Sequence, residues 1–334
     1  MNGNFVWRDA GRVVLLSANG VAESPKLLAE HGVEQFELLS TERHLGGAGQ
    51  LAGAAVAVHE VPVAAVPEAA AALLDTAGAA NLVALGGGRV IDTAKAIAAV
   101  TGAQVTAIPT TMSGAEMTGI HRTPAGAEDR VRGLVRPSLV IAEPGTMTSA
   151  PEAELRTSSM NALAHGADSL YTPFVNPVSQ MTALQGAELI AGSLDEDPAE
   201  RNRDALALGS LLCGYAIDSG MFALHHVICQ TLVRVCGSPH AGTNAAILPR
   251  AMAYMAPRAP DGLEPLATAI GTTPDAIEAR ILKLGGNPPG LDDQGADRTK
   301  LPEAIESMLL RPELAFAPEP PSGDDLAQLI ERSW

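Results

Sequence analysis

Residues 82–97, Leu-Val-Ala-Leu-Gly-Gly-Gly-Arg-Val-Ile-Asp-Thr-Ala-Lys-Ala-Ile, constrain the fold of this 334-residue chain more than any other stretch. The apolar run Leu82 to Leu85 reads as a buried parallel strand, and Gly86, Gly87 and Gly88 let the backbone turn sharply. An amphipathic run of helix formers follows. A strand, a tight turn and a helix start in that order attract a pyrophosphate. The N–H groups at the helix start are unbonded, the helix dipole favours negative charge, and without Cβ atoms a phosphate can approach the main chain. The spacing is neither GxGxxG nor GxxxxGK[ST], so neither the usual dinucleotide fingerprint nor a P-loop is licensed. A glycine cluster alone is more often a plain turn.

The sequence around this unit alternates. Val13 to Leu16 reads as a strand, Pro25 to His31 as a helix and Phe36 to Thr41 as a second strand. Gly46 to Ala57 reads as a helix packed closely on a sheet, His59 to Pro62 ends a further strand and Pro67 to Ala77 is helical. Thr106 to Pro109 and Leu139 to Ala142 are two more strands. This rhythm predicts a mostly parallel sheet with helices on both faces. Ligands of such sheets sit beyond the carboxyl ends of the strands, where the Gly86 turn and the turn Thr110-Thr111-Met112-Ser113-Gly114 would meet. After Pro144 no convincing strand remains. Glu152 to Tyr171, Pro177 to Leu194, Asp204 to Ile217 and Phe222 to Val235 carry apolar residues at helical spacing. Asn287 to Gly290 and Pro318 to Pro321 read as loops.

A length of 334 residues fits about two domains. The net charge of -16 works against nucleic acid and membrane surfaces as partners. Cys213, Cys229 and Cys236 form no CxxC pair, which favours reduced, buried core thiols; a catalytic thiol is the alternative. The start Met-Asn-Gly-Asn-Phe-Val-Trp-Arg lacks the regions of a secretion signal, and no apolar run approaches about 18 residues, so a cytoplasmic location is expected.

The polar chemistry gathers in the helical half. Asn161 and His165 are four apart and share a helix face, as do His226 and Gln230. Ser238-Pro239-His240-Ala241-Gly242 brings a further histidine on a turn. Each histidine alone is more often an ordinary core or surface residue; three separated histidines could converge on one centre, and beside the glycine turn the ordinary reading loses ground.

Taken in order, these motifs resemble the iron-containing alcohol dehydrogenase family. Residues 86–95 look like its GGGSxxDxAK segment, and Pro109-Thr110-Thr111, Ser113 to Thr118, Met160 to His165, His226 and His240 follow in its order. Within the family the resemblance is to maleylacetate reductases. It rests on Ser40-Thr41, Asn-Ala-Leu-Ala-His at 161–165, Leu170-Tyr171, Asn176-Pro177, His-His-x-x-Cys at 225–229 and Pro-His-Ala at 239–241.

The resemblance implies an α/β N-terminal dinucleotide-binding domain with a Rossmann-like parallel sheet over 1–150, followed by an all-α C-terminal substrate and catalytic domain over 151–334. This is the dehydroquinate synthase-like, iron-containing alcohol dehydrogenase fold. It further implies NADH or NADPH in the cleft, held by Gly86, Gly87, Gly88, Arg89, Asp92, Lys95, Thr110, Thr111, Ser113, Ser40 and Thr41. The threonines have a plain alternative as turn residues, and Lys95 as a solvated helix lysine. An acid at Ser40 would repel a 2′-phosphate, so Ser40-Thr41 permits either cofactor. A homodimer is also implied.

Metal-using members bind iron or zinc through one aspartate and three histidines, and Asn161 stands at the aspartate. A neutral amide cancels no cation charge, although three histidines alone can still hold zinc. Maleylacetate reductases share the asparagine and are taken to work without metal. The expectation is therefore a metal-free site in which Asn161, His165, His226 and His240 bind substrate or move protons. The reaction implied is hydride transfer to the double bond of maleylacetate, giving 3-oxoadipate in aromatic-compound catabolism, with imidazoles stabilising the enolate. His121, Arg122, His225 and Arg250 are candidates for holding the anionic substrate, with a solvated surface side chain the default for each. Arg89, His121, Gln230 and Gly242 depart from the maleylacetate pattern, which leaves open another oxo-acid or a lost activity. A metal-dependent alcohol or aldehyde dehydrogenase of the same fold is the alternative.

Overall fold

The computed structural model describes residues 11–334; the expectation drawn from the first eight residues lies outside that range. The described chain forms two compact units, one ending at Ser149 and the other running from Ala150 to Trp334.

The first unit contains β1 (Val13–Leu16), α1 (Gly20–Glu30), β2 (Glu37–Ser40), α2 (Glu42–Leu45), α3 (Gly49–Ala54), β3 (Ala57–Glu60), α4 (Val66–Leu73), β4 (Asn81–Gly86), α5 (Gly88–Thr101), β5 (Gln104–Pro109), β6 (Leu139–Ala142) and α6 (Pro144–Met147). Its strands pair in parallel in the order β1-β6-β5-β4-β2-β3. Successive strand side chains point to opposite faces. Leu39, Leu82, Ala84, Val105 and Ala107 therefore pack with Val90, Ile91, Ala94 and Ile97 of α5 on one face. Leu38, Val83, Leu85, Ile108, Leu139 and Ile141 pack with Leu28 of α1 and Leu51 of α3 on the other. Each such Leu, Ile or Val contributes roughly 1.5–3 kcal/mol by leaving water. Burial on both faces is why β4 reads as a continuous apolar run with no alternation.

The helix expected over 46–57 is reduced to α3. Gly46 ends α2 and Gly47 follows it, and glycine costs about 1 kcal/mol relative to alanine in a helix, so α3 begins only at Gly49. α1 starts at Gly20, ahead of the expected Pro25, because Gly20, Ser24 and Leu28 form its buried stripe.

The second unit contains α7 (Glu152–Ser169), α8 (Pro177–Asp195), α9 (Arg203–Gly220), α10 (Leu224–Cys236), α11 (His240–Met255), α12 (Pro260–Ala269), α13 (Ile277–Leu284), α14 (Leu301–Leu309) and α15 (Gly323–Glu331). It holds no strand among the described residues. α7 packs against α8, α9, α10 and α11, and every residue from Ser159 to Ser169 is buried. A helix surrounded in this way is a core element, so its polar residues face protein. His240, expected on a turn, is the first residue of α11, directly after Pro239. The three cysteines are free and buried. No single helix among the described residues is long and apolar enough to cross a membrane.

Candidate active site

The glycine turn joins β4 to α5, with Gly87 at the N-cap and no side chain capping the helix. Helix geometry leaves the N–H groups of Gly88 and Arg89 without an intrahelical acceptor. Thr110 N donates to Gly86 O over 3.1 Å, which sets the segment after β5 against the turn. The fit is close: a Cβ on Gly88 would lie 2.9 Å from Ser113 Cβ, and one on Gly87 would lie 3.0 Å from Thr111 Oγ1. Unbonded N–H groups beside two hydroxyls, at the start of a 14-residue helix, fit a dinucleotide pyrophosphate.

The neighbours of the turn are placed less uniformly than the sequence implies. Arg89 Nη1 donates to Pro62 O over 3.0 Å. Lys95 is not solvated. It is fully buried, and its ammonium donates to Asp92 Oδ1 (2.8 Å), Ala115 O (3.1 Å) and Ile120 O (2.7 Å). Lys95 thus ties the loop that follows β5 to α5, and Asp92 is its counterion. Ser40 is also buried, with its hydroxyl donating to Leu85 O (2.7 Å), so it ties β2 to β4. Thr41 Oγ1 lies 3.0 Å from His44 Nδ1. His121 Nδ1 sits 2.9 Å from Arg122 O, and the Arg122 side chain is exposed. Glu116, unmarked in the sequence reading, is fully buried with Oε2 accepting from Ser113 Oγ at 3.3 Å. Burial pushes its carboxyl up to about 7, against the pull of Lys95 and Ser113.

In the helical unit α7 and α10 bring imidazoles together. Asn161, His165 and Asp168 fall at positions i, i+4 and i+7 of α7 and share one face. The His165 ring stacks on His226 of α10, with centroids 5.2 Å apart and planes inclined by 17°. Phe222 packs beside His226 at 5.6 Å. Nδ1 of His165 and Nε2 of His226 are both buried without a hydrogen-bond partner. Burial holds His165 well below the usual imidazole range, reinforced by His226, His240 and His225. His240, exposed at the start of α11, is near enough for its charge to act on both His165 and His225.

Asp168 is the residue that sequence reasoning missed; its only signal was a place one turn beyond His165. It has no exposed surface. Its Oδ2 accepts from His226 Nδ1 (2.9 Å), Ala223 N (2.9 Å) and His226 N (3.2 Å), while Oδ1 accepts from His225 N (3.2 Å) and the Tyr171 hydroxyl. Burial alone would raise this carboxyl, yet the His226 hydrogen bond and the charges of His226 and His225 hold it at about 2.

Of two other candidates, His225 adjoins the cluster, its ring edge-on to His226 with centroids 4.9 Å apart, and Arg250 lies elsewhere. His225 has no exposed surface; its Nε2 donates to Asn244 Oδ1 (2.8 Å) and lies 3.6 Å from Cys229 Sγ. Burial lowers its pKa to about 3, so it is a neutral packing residue. Arg250 comes ten residues after His240, about 15 Å along α11, and pairs with Glu278 at 3.8 Å. Gln230, one turn beyond His226, accepts from Arg311 Nη2 at 3.1 Å.

Comparison with known proteins agrees with this geometry. Residues 28–144 match the iron-containing alcohol dehydrogenase family model, and residues 156–334 match the model for the C-terminal part of the same family. The chain belongs to the iron-containing alcohol dehydrogenase family. Within it, the chain falls in the maleylacetate reductase branch. It is 32% identical to a maleylacetate reductase of Sphingobium indicum over 98% of this chain and 97% of that one. A crystal structure of maleylacetate reductase from Agrobacterium tumefaciens superposes with a TM-score of 0.87 at 29% identity, covering 99% of this chain and 98% of that one. Sulfoacetaldehyde reductase from Bifidobacterium kashiwanohense, solved with NAD+, shares the fold with a TM-score of 0.81 at 19% identity, covering 99% of each chain. The protein is an NAD(P)H-dependent oxidoreductase.

The donor set is weaker than that of the metal-using members of the family. Asn161 offers a neutral amide, and among the described residues no three His, Cys, Asp or Glu side chains are grouped to hold an ion. The nearby carboxylate, Asp168, is already spent on the start of α10 and on His226.

Proposed function

We propose that this enzyme is a metal-independent maleylacetate reductase, forming 3-oxoadipate at the expense of NADH or NADPH. The observation that carries this reading is the buried His165–His226 stack, whose Nδ1 and Nε2 atoms are left without protein partners beside an ionised Asp168. The similarity to maleylacetate reductases over nearly the whole chain supports it.

When bound, the reduced nicotinamide supplies the hydride. The Gly86–Gly88 turn, with Thr111 and Ser113, holds the pyrophosphate through backbone N–H groups and hydroxyls. His165, kept neutral, donates a hydrogen bond to the substrate's keto oxygen. The carbon distal to the ketone receives the hydride, and the electron pair of the double bond moves onto that oxygen as an enolate. Imidazole donors fixed in a water-poor site stabilise the enolate, an effect worth on the order of 10²–10³ in rate per donor. His226, carrying hydrogen on both ring nitrogens before the step, gives its Nε2 proton to the carbon next to the ketone and keeps the one on Nδ1, and solvent restores the lost proton through the exposed His240. Burial of the cluster keeps water from competing for the hydrogen bonds.

The test is a spectrophotometric assay of both reduced cofactors with maleylacetate, with metal content measured on the same sample. Substrate-dependent oxidation with far less than one iron or zinc per chain is expected. Stoichiometric metal with turnover confined to alcohols or aldehydes would overturn the reading.

A further inference from the structure

The helical unit contains a buried carboxylate that the reaction above does not touch. Asp168 sits on α7, fully enclosed, and five donors converge on it: three backbone N–H groups at the start of α10, the His226 Nδ1 and the Tyr171 hydroxyl. α10 has Ala223 at its N-cap and no capping side chain of its own, so Asp168 reaches across from α7 and takes that place. A carboxylate there also favours the helix dipole. The same oxygen that receives Ala223 N and His226 N receives the His226 ring, so the cap and the ring are held by one group.

We propose that Asp168 is a positioning residue that keeps a hydrogen on His226 Nδ1 before and after proton transfer, leaving Nε2 as the sole atom of the ring that gains or gives up a proton. An ionised carboxylate accepts hydrogen bonds and cannot donate one, so the imidazole atom facing it must carry hydrogen. The other ring atom, Nε2, is buried and has no protein partner. The stacked His165 fixes the plane of the ring from one side, and Phe222 packs against it. The result is an imidazole with one orientation and one exchangeable position. Tyr171, bonded to the other carboxylate oxygen, holds Asp168 from behind.

This assignment rests on the reading of His226 as the proton donor, and two measurements separate its failure from failure of that reading. The first needs no substrate. Nitrogen-15 labelling of the histidines in the full-length enzyme, with the His226→Gln spectrum used for assignment, reports which ring nitrogen bears hydrogen. The proposal expects a protonated Nδ1 on His226, slow to exchange with water; an unprotonated Nδ1 overturns it, whatever the enzyme reduces. The second is kinetic. Asp168→Asn can turn its amide N–H₂ toward the ring and impose the opposite tautomer, so kcat should fall by about 10²–10⁴ while the Kd for reduced cofactor stays within about threefold. Asp168→Glu, which keeps an ionised acceptor, should recover at least about tenfold of the loss. An Asp168→Asn protein that folds, shows unchanged circular dichroism and keeps kcat within about threefold overturns the proposal. Should the asparagine variant fail to fold, the nitrogen-15 result on the unmutated enzyme decides alone.

Discussion

In the proposed mechanism the glycine turn and the imidazole cluster meet two recognition problems by opposite means. At the turn the proposed binding groups are main-chain N–H donors, with Thr111 and Ser113 packed within contact distance of where a Cβ on Gly87 or Gly88 would lie. In the cluster they are side chains on α7 and α10, set by a carboxylate that touches no ligand. A site made of backbone tolerates little added volume but is indifferent to the charge of its neighbours. A site made of buried side chains depends on the partner behind each group, and mutation should separate the two behaviours.

The largest effect is expected at His226. His226→Gln keeps a polar side chain of similar reach but removes a group able to give up a proton. kcat should drop by about 10²–10⁴ with the cofactor Kd unchanged. A parallel loss of cofactor affinity, read by fluorescence titration with NADH or NADPH, would show that the two regions are not separable.

Lys95 comes next. Lys95→Met removes a buried ammonium and leaves Ala115 O, Ile120 O and Asp92 without their donor, a loss of about 3–5 kcal/mol in local stability. Hydrogen exchange should then speed up over residues 110–120 while α7 and α10 keep their protection. Glu116 tests the same loop through pH. Its folded pKa of about 7 lies above the unfolded carboxyl value of 4.5, so the folded state binds the extra proton. That contribution, about 3 kcal/mol at most, is complete below pH 4.5 and is lost as pH rises through 7. Glu116→Gln should flatten the urea midpoint of this unit between pH 5 and 7, and an unchanged slope would refute the assignment.

A smaller effect is expected at the turn itself. Gly88→Ala places a methyl group 2.9 Å from Ser113 Cβ, so Ser113 must shift. Cofactor affinity should weaken by about ten- to a hundredfold, the equivalent of one or two lost hydrogen bonds. kcat at saturating cofactor should change little.

The contrast also explains what could be read from the chain. The turn is contiguous, so the strand, the three glycines and the helix were visible in residues 82–97, and the parallel sheet followed from the alternation of elements around it. The imidazoles could be picked out individually, but nothing in the sequence links Asp168 to His226, 58 residues away. Nor does a lysine in an alanine-rich helix announce that its ammonium is capped by two carbonyls 20 and 25 residues downstream. Ser40 and His225 carry the same lesson in reverse. Both residue types suit ligand binding, yet tertiary packing has spent the Ser40 hydroxyl on Leu85 O and the His225 ring on Asn244.

The smallest effect is expected at Gly242, where the side-chain-built region meets a position that lacks a side chain. A Cβ there would fall 1.7 Å from Gln294 Oε1, which at first sight forbids any substitution. The obstacle, however, is the far end of a flexible side chain. Its Oε1 has no hydrogen-bond partner, and its Nε2 makes one good bond to Pro289 O (2.7 Å) and one long one to Gly242 O (3.4 Å). Gly242 also lies in the first turn of α11, where replacing glycine by alanine gains helix propensity of up to about 1 kcal/mol. Losing the Gln294 bonds costs about the same, so Gly242→Ala should leave the urea midpoint within about 1 kcal/mol of the parent. Gln294→Ala combined with Gly242→Ala should be more stable than Gly242→Ala alone, because the displaced amide is then absent. A large loss in the single variant, unrelieved in the double, would mean that the start of α11 is as intolerant of added volume as the glycine turn, and the distinction between the two regions would fail there.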